Sequence, residues 1–259
     1  MYRVKQLCLR GGGRNLKLLK GFTLSEVLIT LGIIGVVAAL TLPSLVANHQ
    51  KKVLKTAFMT SYSLLGQALN NLKADTGLSS IYNYYVVYDT TRGYYMQEEF
   101  KNDFSKYFKF INYSLSLEPK YITYDGSKKV SVDAPSYSHS KFQYALANGA
   151  LMDFYINGGP EGKWICMKVD INGFKPPNRY GFDVFIFLVK SSDDKLVGRK
   201  MIRLYTDEEA EEDIYSGAAG VPCSKKSKQS MNGIGCAGYA LADECPDDPT
   251  KGYWDCLPN

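Results

Sequence analysis

The sequence predicts an α+β protein. A long N-terminal helix, membrane-crossing in its first half and amphipathic in its second, packs on an antiparallel β-sheet, and a disulfide-containing C-terminal loop region follows. Three observations carry this prediction. No formal charge occurs between Glu26 and Lys51. An apolar repeat at three- and four-residue steps then runs from Leu54 to Leu72, and short runs of strand-forming residues flanking turn signals begin at Phe142.

Residues 1–21 carry Arg3, Lys5, Arg10, Arg14, Lys17 and Lys20 and no acidic residue, which orients a following span with this leader on the cytoplasmic side. After Gly21 come Phe22-Thr23-Leu24-Ser25-Glu26, and every residue from Val27 to Leu42 is apolar, Gly or Thr. As a helix rising about 1.5 Å per residue, residues 22–47 are long enough to cross a hydrocarbon core of roughly 30 Å. The following residues, Pro43-Ser44-Leu45-Val46-Ala47-Asn48, show no A-x-A cleavage pattern, so the span is expected to stay attached. A carboxylate at the edge of such a helix is costly in hydrocarbon, and Glu26 therefore calls for a positive partner supplied by another chain.

Residues 48–75 read as an amphipathic continuation of the same helix. Leu54, Ala57, Phe58, Ser61, Tyr62, Leu65, Ala68, Leu69 and Leu72 form one stripe, with Lys51, Lys52, Lys55, Gln67, Asn70 and Lys73 between them. Asp75-Thr76-Gly77 is a stop signal, and Pro43, which lacks a backbone N–H, is expected to kink or loosen the helix. Residues 76–141, rich in Tyr and Ser, read as a variable loop region with a short helix near 97–108. Residues 142–205 read as an antiparallel sheet of about four strands: Phe142–Ala147 and Ala150–Ile156 around a two-residue Asn148-Gly149 turn, then Trp164–Ile171 and Asp183–Val189. Residues 206–259 hold an acidic run, 207–213, expected to be a solvated face, and a cysteine-rich lobe.

Composition limits the function. With 45% hydrophobic and 22% charged residues the chain is an ordinary globular balance, which excludes disorder, collagen and a many-span membrane protein. The two histidines, His49 and His139, offer little for a His-based metal centre or a Ser-His-Asp relay, and no catalytic constellation is visible. Lys plus Arg number 31 against 26 for Asp plus Glu. Six of those 31 and none of the 26 lie in residues 1–21, so loss of the leader leaves a formal side-chain charge of −1 and no general case for a nucleic-acid partner. Exposed tyrosines beside lysines, from the set Tyr82, Tyr84, Tyr85, Tyr88, Tyr94 and Tyr95, are the local feature that base or sugar stacking would use; most are expected to be strand and core residues.

Cys223, Cys236, Cys245 and Cys256 have no C-x-x-C spacing, which favours disulfide-closed loops over a zinc site. They allow three pairings, of which the sequential one is simplest. Cys166 reads as a buried thiol in a strand, or as a member of the framework that leaves another thiol over; with five cysteines after residue 21, one cannot pair within the subunit. Asp170-x-Asn172-Gly173, with Asn178, Gly181 and Asp183 downstream, admits two readings: a turn closed by Asx side chains, or oxygen ligands for calcium at Asp170, Asn172 and Asp183. The closing Glu of an EF-hand is missing.

Lys20-Gly21-Phe22-Thr23-Leu24-Ser25-Glu26-Val27-Leu28-Ile29-Thr30-Leu31 resembles the processing site of the type IV pilin and type II secretion pseudopilin superfamily, and the likeness covers about residues 14–75. The resemblance implies a pilin-like fold and cleavage between Gly21 and Phe22 by a membrane prepilin peptidase. It implies N-methylation of the new Phe22 amine, and pairing of Glu26 with the Phe22 amine of a neighbouring subunit. Pro43 would mark where the helix bends or melts on entering the fibre. The cysteine-rich region is similar to the disulfide-closed, exposed lobe of many type IV pilins, and some pseudopilins bind calcium in their C-terminal region. The stretch from Val169 to Phe185 also looks like a motif that recurs in large pilin-like proteins. The implied partners are the peptidase, other pilin or pseudopilin subunits, the inner-membrane assembly platform and the membrane, with the C-terminal domain periplasmic or extracellular. The expected function is that of a non-enzymatic structural subunit of a pseudopilus or pilus; the alternative is a minor, tip-located pilin that binds DNA, a surface or a secreted substrate.

Overall fold

The computed structural model describes residues 23–86, 88–89, 94–117, 121–127, 142–159, 162–198, 222–229 and 231–257. Gly21, Phe22 and the acidic run 207–213 lie outside them. The chain divides into two units, Met1–Ala47 and Asn48–Asn259. Helix α1, Leu24–Thr76, contributes to both, and Pro43 lies inside it.

In the first unit, the large apolar side chains of α1 are exposed on every side, Leu28, Leu31, Ile34 and Leu45 each by 60% or more. Among the described residues this is the one helix long and apolar enough to cross a membrane. Thr30 Oγ1 donates to the Glu26 and Val27 carbonyls and Thr41 Oγ1 to the Val37 carbonyl, so both hydroxyls are satisfied within the helix.

The second unit has an α+β, pilin-like layout. Leu54, Phe58, Ser61, Leu65, Ala68, Leu69 and Leu72 of α1 are buried, as the stripe predicts, and the helix ends at Thr76, one residue before Gly77. Two short helices follow, α2 (Ile81–Tyr85) and α3 (Gln97–Ser105), the second where a short helix is expected. A two-stranded ribbon of β1 (Tyr88–Asp89) and β2 (Tyr94–Tyr95) lies between them.

The main sheet is larger than the sequence suggests. It holds six antiparallel strands in the order β3-β4-β5-β6-β7-β8: Phe110–Leu117, Phe142–Leu146, Leu151–Gly159, Gly162–Asp170, Val184–Val189 and Leu196–Gly198. Strand β3 comes from the segment read as loop. Its residues Ile111, Tyr113, Leu115 and Leu117 alternate with Asn112, Ser114 and Ser116, a period of two that two irregularities in its pairing with β4 interrupt.

The β4–β5 turn also differs. Tyr144 pairs with Met152 and Ala145 with Leu151, and Leu146 N donates to the Ala150 carbonyl, so the loop has three residues, Ala147 to Gly149. Gly149, at φ +88, is left-handed and Asn148 is not. A type I turn with a glycine bulge thus replaces the expected two-residue turn, and each flanking strand shortens by one residue at the loop.

One sheet face, with Met152, Phe154, Met167, Val169, Phe185 and Phe187, packs in the main core against α1, α2, α3 and the C-terminal residues. The other face carries a second core that includes Phe142, Leu151, Tyr155, Cys166, Ile186 and Leu188 beneath Tyr121, Tyr180, Met231 and Ile234. Asp194, in the β7–β8 turn, links three elements. Its carboxylate accepts hydrogen bonds from the backbone N–H groups of Ile81 and Tyr82, from Ser80 Oγ and from Lys73 Nζ, at 2.8–3.0 Å. It thereby ties the end of α1 to the start of α2.

The C-terminal region closes the main core. A 3-10 turn (Ile234–Cys236) leads into α4 (Ala237–Ala242), and disulfides join Cys223 to Cys236 and Cys245 to Cys256. Tyr253, Trp254 and Leu257 are buried in the core shared with α1, and all four cysteines are buried too. The exposed lobe expected from the resemblance is therefore, over these residues, a lid built into the core. Gly181 shows how tightly it fits: at φ +74 it leaves no room for a Cβ against the Cys236 side chain, and its carbonyl accepts the Tyr253 hydroxyl.

Candidate functional site

The first candidate is the start of α1. Thr23-Leu24-Ser25-Glu26 forms a reciprocal cap. Glu26 N donates to Thr23 Oγ1 at 3.2 Å, while Glu26 Oε2 accepts from Thr23 N and from Thr23 Oγ1, each at 2.8 Å. The T-x-x-E spacing of Thr23 and Glu26 is the sequence signal for this cap. Two roles thus converge on one exposed side chain: helix capping, and a negative charge at the positive end of the helix dipole. Gly21 and Phe22, the other two residues of the processing reading, lie outside the described residues.

The second candidate is the β6–β7 loop. Asp170 ends β6, Asp183 precedes β7, and both are fully buried. Asp170 Oδ2 accepts from the Tyr121 hydroxyl at 3.2 Å and Oδ1 from Asn172 N at 3.3 Å. Asp183 Oδ2 accepts from Asn178 N at 2.9 Å and Oδ1 from Arg179 N at 2.5 Å. All four carboxylate oxygens are thus engaged by the protein, the pattern of Asx-closed turns.

The fit to calcium is poor by comparison. A hard cation takes about six to eight oxygens. Asp170 and Asp183 are already hydrogen-bonded, and only the side-chain oxygens of Asn172 and Asn178 are buried without a donor in this loop, a partial shell at most. Among the described residues no group of three or more His, Cys, Asp or Glu side chains is placed to hold a metal.

Burial, and then the charge of Asp183, push the Asp170 carboxyl up to about 8. Burial pushes Asp183 up to about 6 against the pull of the Arg179 and Asn178 N–H groups. Both groups keep protons in the folded state that the unfolded chain releases near pH 4, so their stabilising contribution is complete below that pH and lost as pH rises through 6 and then 8. Asp194 has the opposite sign. Burial raises its carboxyl, but Lys73, the N–H groups of Tyr82 and Ile81, and Ser80 outweigh that and hold it low, so its contribution is lost on acidification. Thermal unfolding monitored from pH 5 to pH 8 is expected to show a falling melting temperature, and Asp170→Asn to flatten the upper part of that fall; a wild-type profile that rises across this window contradicts the assignment.

A third group was not anticipated from sequence. Asp153 and Lys168 are register partners in β5 and β6 and both are buried in the sheet face that carries the second core. Burial raises the Asp153 carboxyl against the pull of Lys168 and Lys101, and lowers the Lys168 amine against the pull of Asp153 and Asp170. Nearby Cys166, buried in β6, takes part in neither disulfide and lies opposite Tyr155, with which it is hydrogen-bonded.

Of the tyrosines weighed for stacking, Tyr85 is buried and donates to Asp103 Oδ2 at 2.8 Å, while Tyr84 is exposed. In comparisons with known proteins, the chain matches no family, no curated protein and no solved structure.

Proposed function

We propose that the chain is a pilin- or pseudopilin-like subunit, processed after Gly21 and assembled through residues 22–47 into a fibre. The observation that carries this reading is the first half of α1. Its large apolar side chains are exposed around the whole circumference, and its one carboxylate, Glu26, stands in the first turn. A helix apolar all round requires a surrounding of lipid or other helices. Lipid accounts for the span before assembly and neighbouring subunits account for it afterwards. The single carboxylate, at the cytoplasmic end of that span, accepts in this reading the charged amine of a neighbour's Phe22. In this reading the basic leader stays in the cytoplasm, the head lies beyond the membrane, and the partners are a prepilin peptidase, other subunits and an assembly platform in the inner membrane.

The test is mass spectrometry of the membrane-associated protein. A product beginning at Phe22 and carrying one added methyl group is expected. Gly21→Val should accumulate as the uncut precursor in the same membrane fraction; a Gly21→Val protein that still begins at Phe22 rules out this processing route.

A further inference from the structure

Lys168 and Asp153 stand directly opposite each other at the centre of the sheet. Register partners on one face hold their Cβ atoms roughly 4.5–5.5 Å apart, a gap that the two side chains span when joined through their ends. Lys168 is 0% and Asp153 2% exposed, and Lys168 Nζ lies 4.2 Å above the centre of the Phe142 ring. Asp153 Oδ1 is buried with no hydrogen-bond donor. Asp170, two residues along β6 on the same face, has both carboxylate oxygens held, by the Tyr121 hydroxyl and Asn172 N.

We propose that Lys168 Nζ and Asp153 Cγ are joined by a self-formed isopeptide bond, with Asp170 as the carboxyl group that relays the proton.

The step balances without any outside reagent. Burial raises the Asp153 carboxyl to about 6 and lowers the Lys168 amine to about 8, which brings the two close enough for a small fraction of the pairs to hold the neutral amine and acid, and the reaction proceeds from that fraction. The amine nitrogen attacks Asp153 Cγ and a C–N bond forms. The nitrogen then gives up a proton through Asp170, one C–O bond of Asp153 breaks, and that oxygen leaves as water. One amine and one carboxylic acid become one amide and one water, with no change of oxidation state. Placement on adjacent strands supplies the effective concentration that drives the condensation.

Two observations choose Asp153 as the acyl partner and Asp170 as the relay. Both Asp170 oxygens are anchored, which fixes the group but leaves it no oxygen to lose. The unsatisfied Asp153 oxygen is the one that departs, and its loss removes a buried acceptor that is costly to leave unpaired. Lys101 is the other buried amine that acts electrostatically on Asp153, but it comes from α3 and faces Glu98 at 3.7 Å, whereas Lys168 is the direct strand partner. The bond would staple β5 to β6, each of nine residues, at the middle of the sheet.

This inference is independent of the assembly reading. Its test is the mass of the native protein together with the peptides released from it by protease. The wild-type chain is expected to be lighter by one water than its sequence, once its start residue, any methyl group on its N-terminal amine and two disulfides are accounted for, and to yield a branched peptide joining the Asp153 and Lys168 segments. Recovery of both segments only as linear peptides overturns the proposal, and that result needs no variant that has to fold. Asp153→Asn is expected to form the same bond with loss of ammonia instead of water, and Lys168→Met to show the full mass. Asp170→Asn, with an unchanged circular dichroism spectrum, is expected to give a mixture of linked and unlinked chains; complete linkage in that variant removes Asp170 from the mechanism.

Discussion

Glu26→Gln will be cut, retained in the membrane and excluded from fibres. The substitution separates two roles that Glu26→Ala removes together. In the single chain the carboxylate is satisfied by its own neighbour Thr23, through the backbone N–H and the hydroxyl. A glutamine oxygen can accept from the same donors, so the helix start should survive. What it cannot supply is the charge that a neighbouring Phe22 ammonium needs, and charge-assisted hydrogen bonds are roughly twice as strong as neutral ones. Assembly in this account is an exchange in which Glu26 trades its bond to Thr23 for the amine of another subunit, so the gain per junction depends on charge. Incorporation of Glu26→Gln, measured by quantitative immunoblotting of sheared fibres in cells that also express the wild type, should fall by about an order of magnitude or more. Glu26→Ala should be excluded as well and also lose helicity at its first turn. Normal incorporation of the glutamine variant defeats the charge-pair mechanism, whatever becomes of the alanine one.

Phe58→Ala will destabilise the head by about 3–5 kcal/mol, the range for deleting a large aromatic side chain from a close-packed core. Phe58 is fully buried, and its ring centre lies 4.5 Å from that of Phe185, 5.4 Å from Trp254 and 5.5 Å from Phe187. One side chain therefore joins α1, the central sheet and the C-terminal lid, and collapse around the cavity would require all three to move. Urea unfolding followed by tryptophan fluorescence reports the change. One residue further along the helix, Met59 is 44% exposed, and Met59→Ala should lie within about 0.5 kcal/mol of wild type. Equal effects at the two positions would mean that the stripe does not face the sheet.

The apolar stripe of α1 was legible because helical periodicity is a local property: each buried residue from Leu54 to Leu72 falls on it. Strand β3 was legible in principle from the alternation of Ile111, Tyr113, Leu115 and Leu117, but its pairing is irregular and its surroundings are rich in Tyr and Ser, which hid the period. At the Asn148-Gly149 turn the residues were read correctly and the loop length was not, since one left-handed glycine suffices for a three-residue loop. The pairing of Asp153 with Lys168 could not be read at all. Asp153 lies out of phase with Met152, Phe154 and Ile156, which in a sheet covered on one face would put it in water. Here both faces are covered, and only strand register reveals what it meets.

The lid formed by Tyr253 and Trp254 bears on the order of events as the protein is made. Lys55 pairs with Asp243 at 2.5 Å and Lys51 Nζ reaches the Asp255 carbonyl at 3.3 Å, joining residues 188 and 204 positions apart. In a chain exported from its N-terminal end, the first stretch of the head to emerge must wait for the last. If the head is exported as proposed, the buried side of Phe58 stays open until residue 254 has crossed, and the cysteines that secure the lid are the last part of the head to reach the oxidising side. A chain that stops short of residue 253 would leave the buried side of Phe58 uncovered, and under the proposed assembly such a chain would lack a head compact enough to build with.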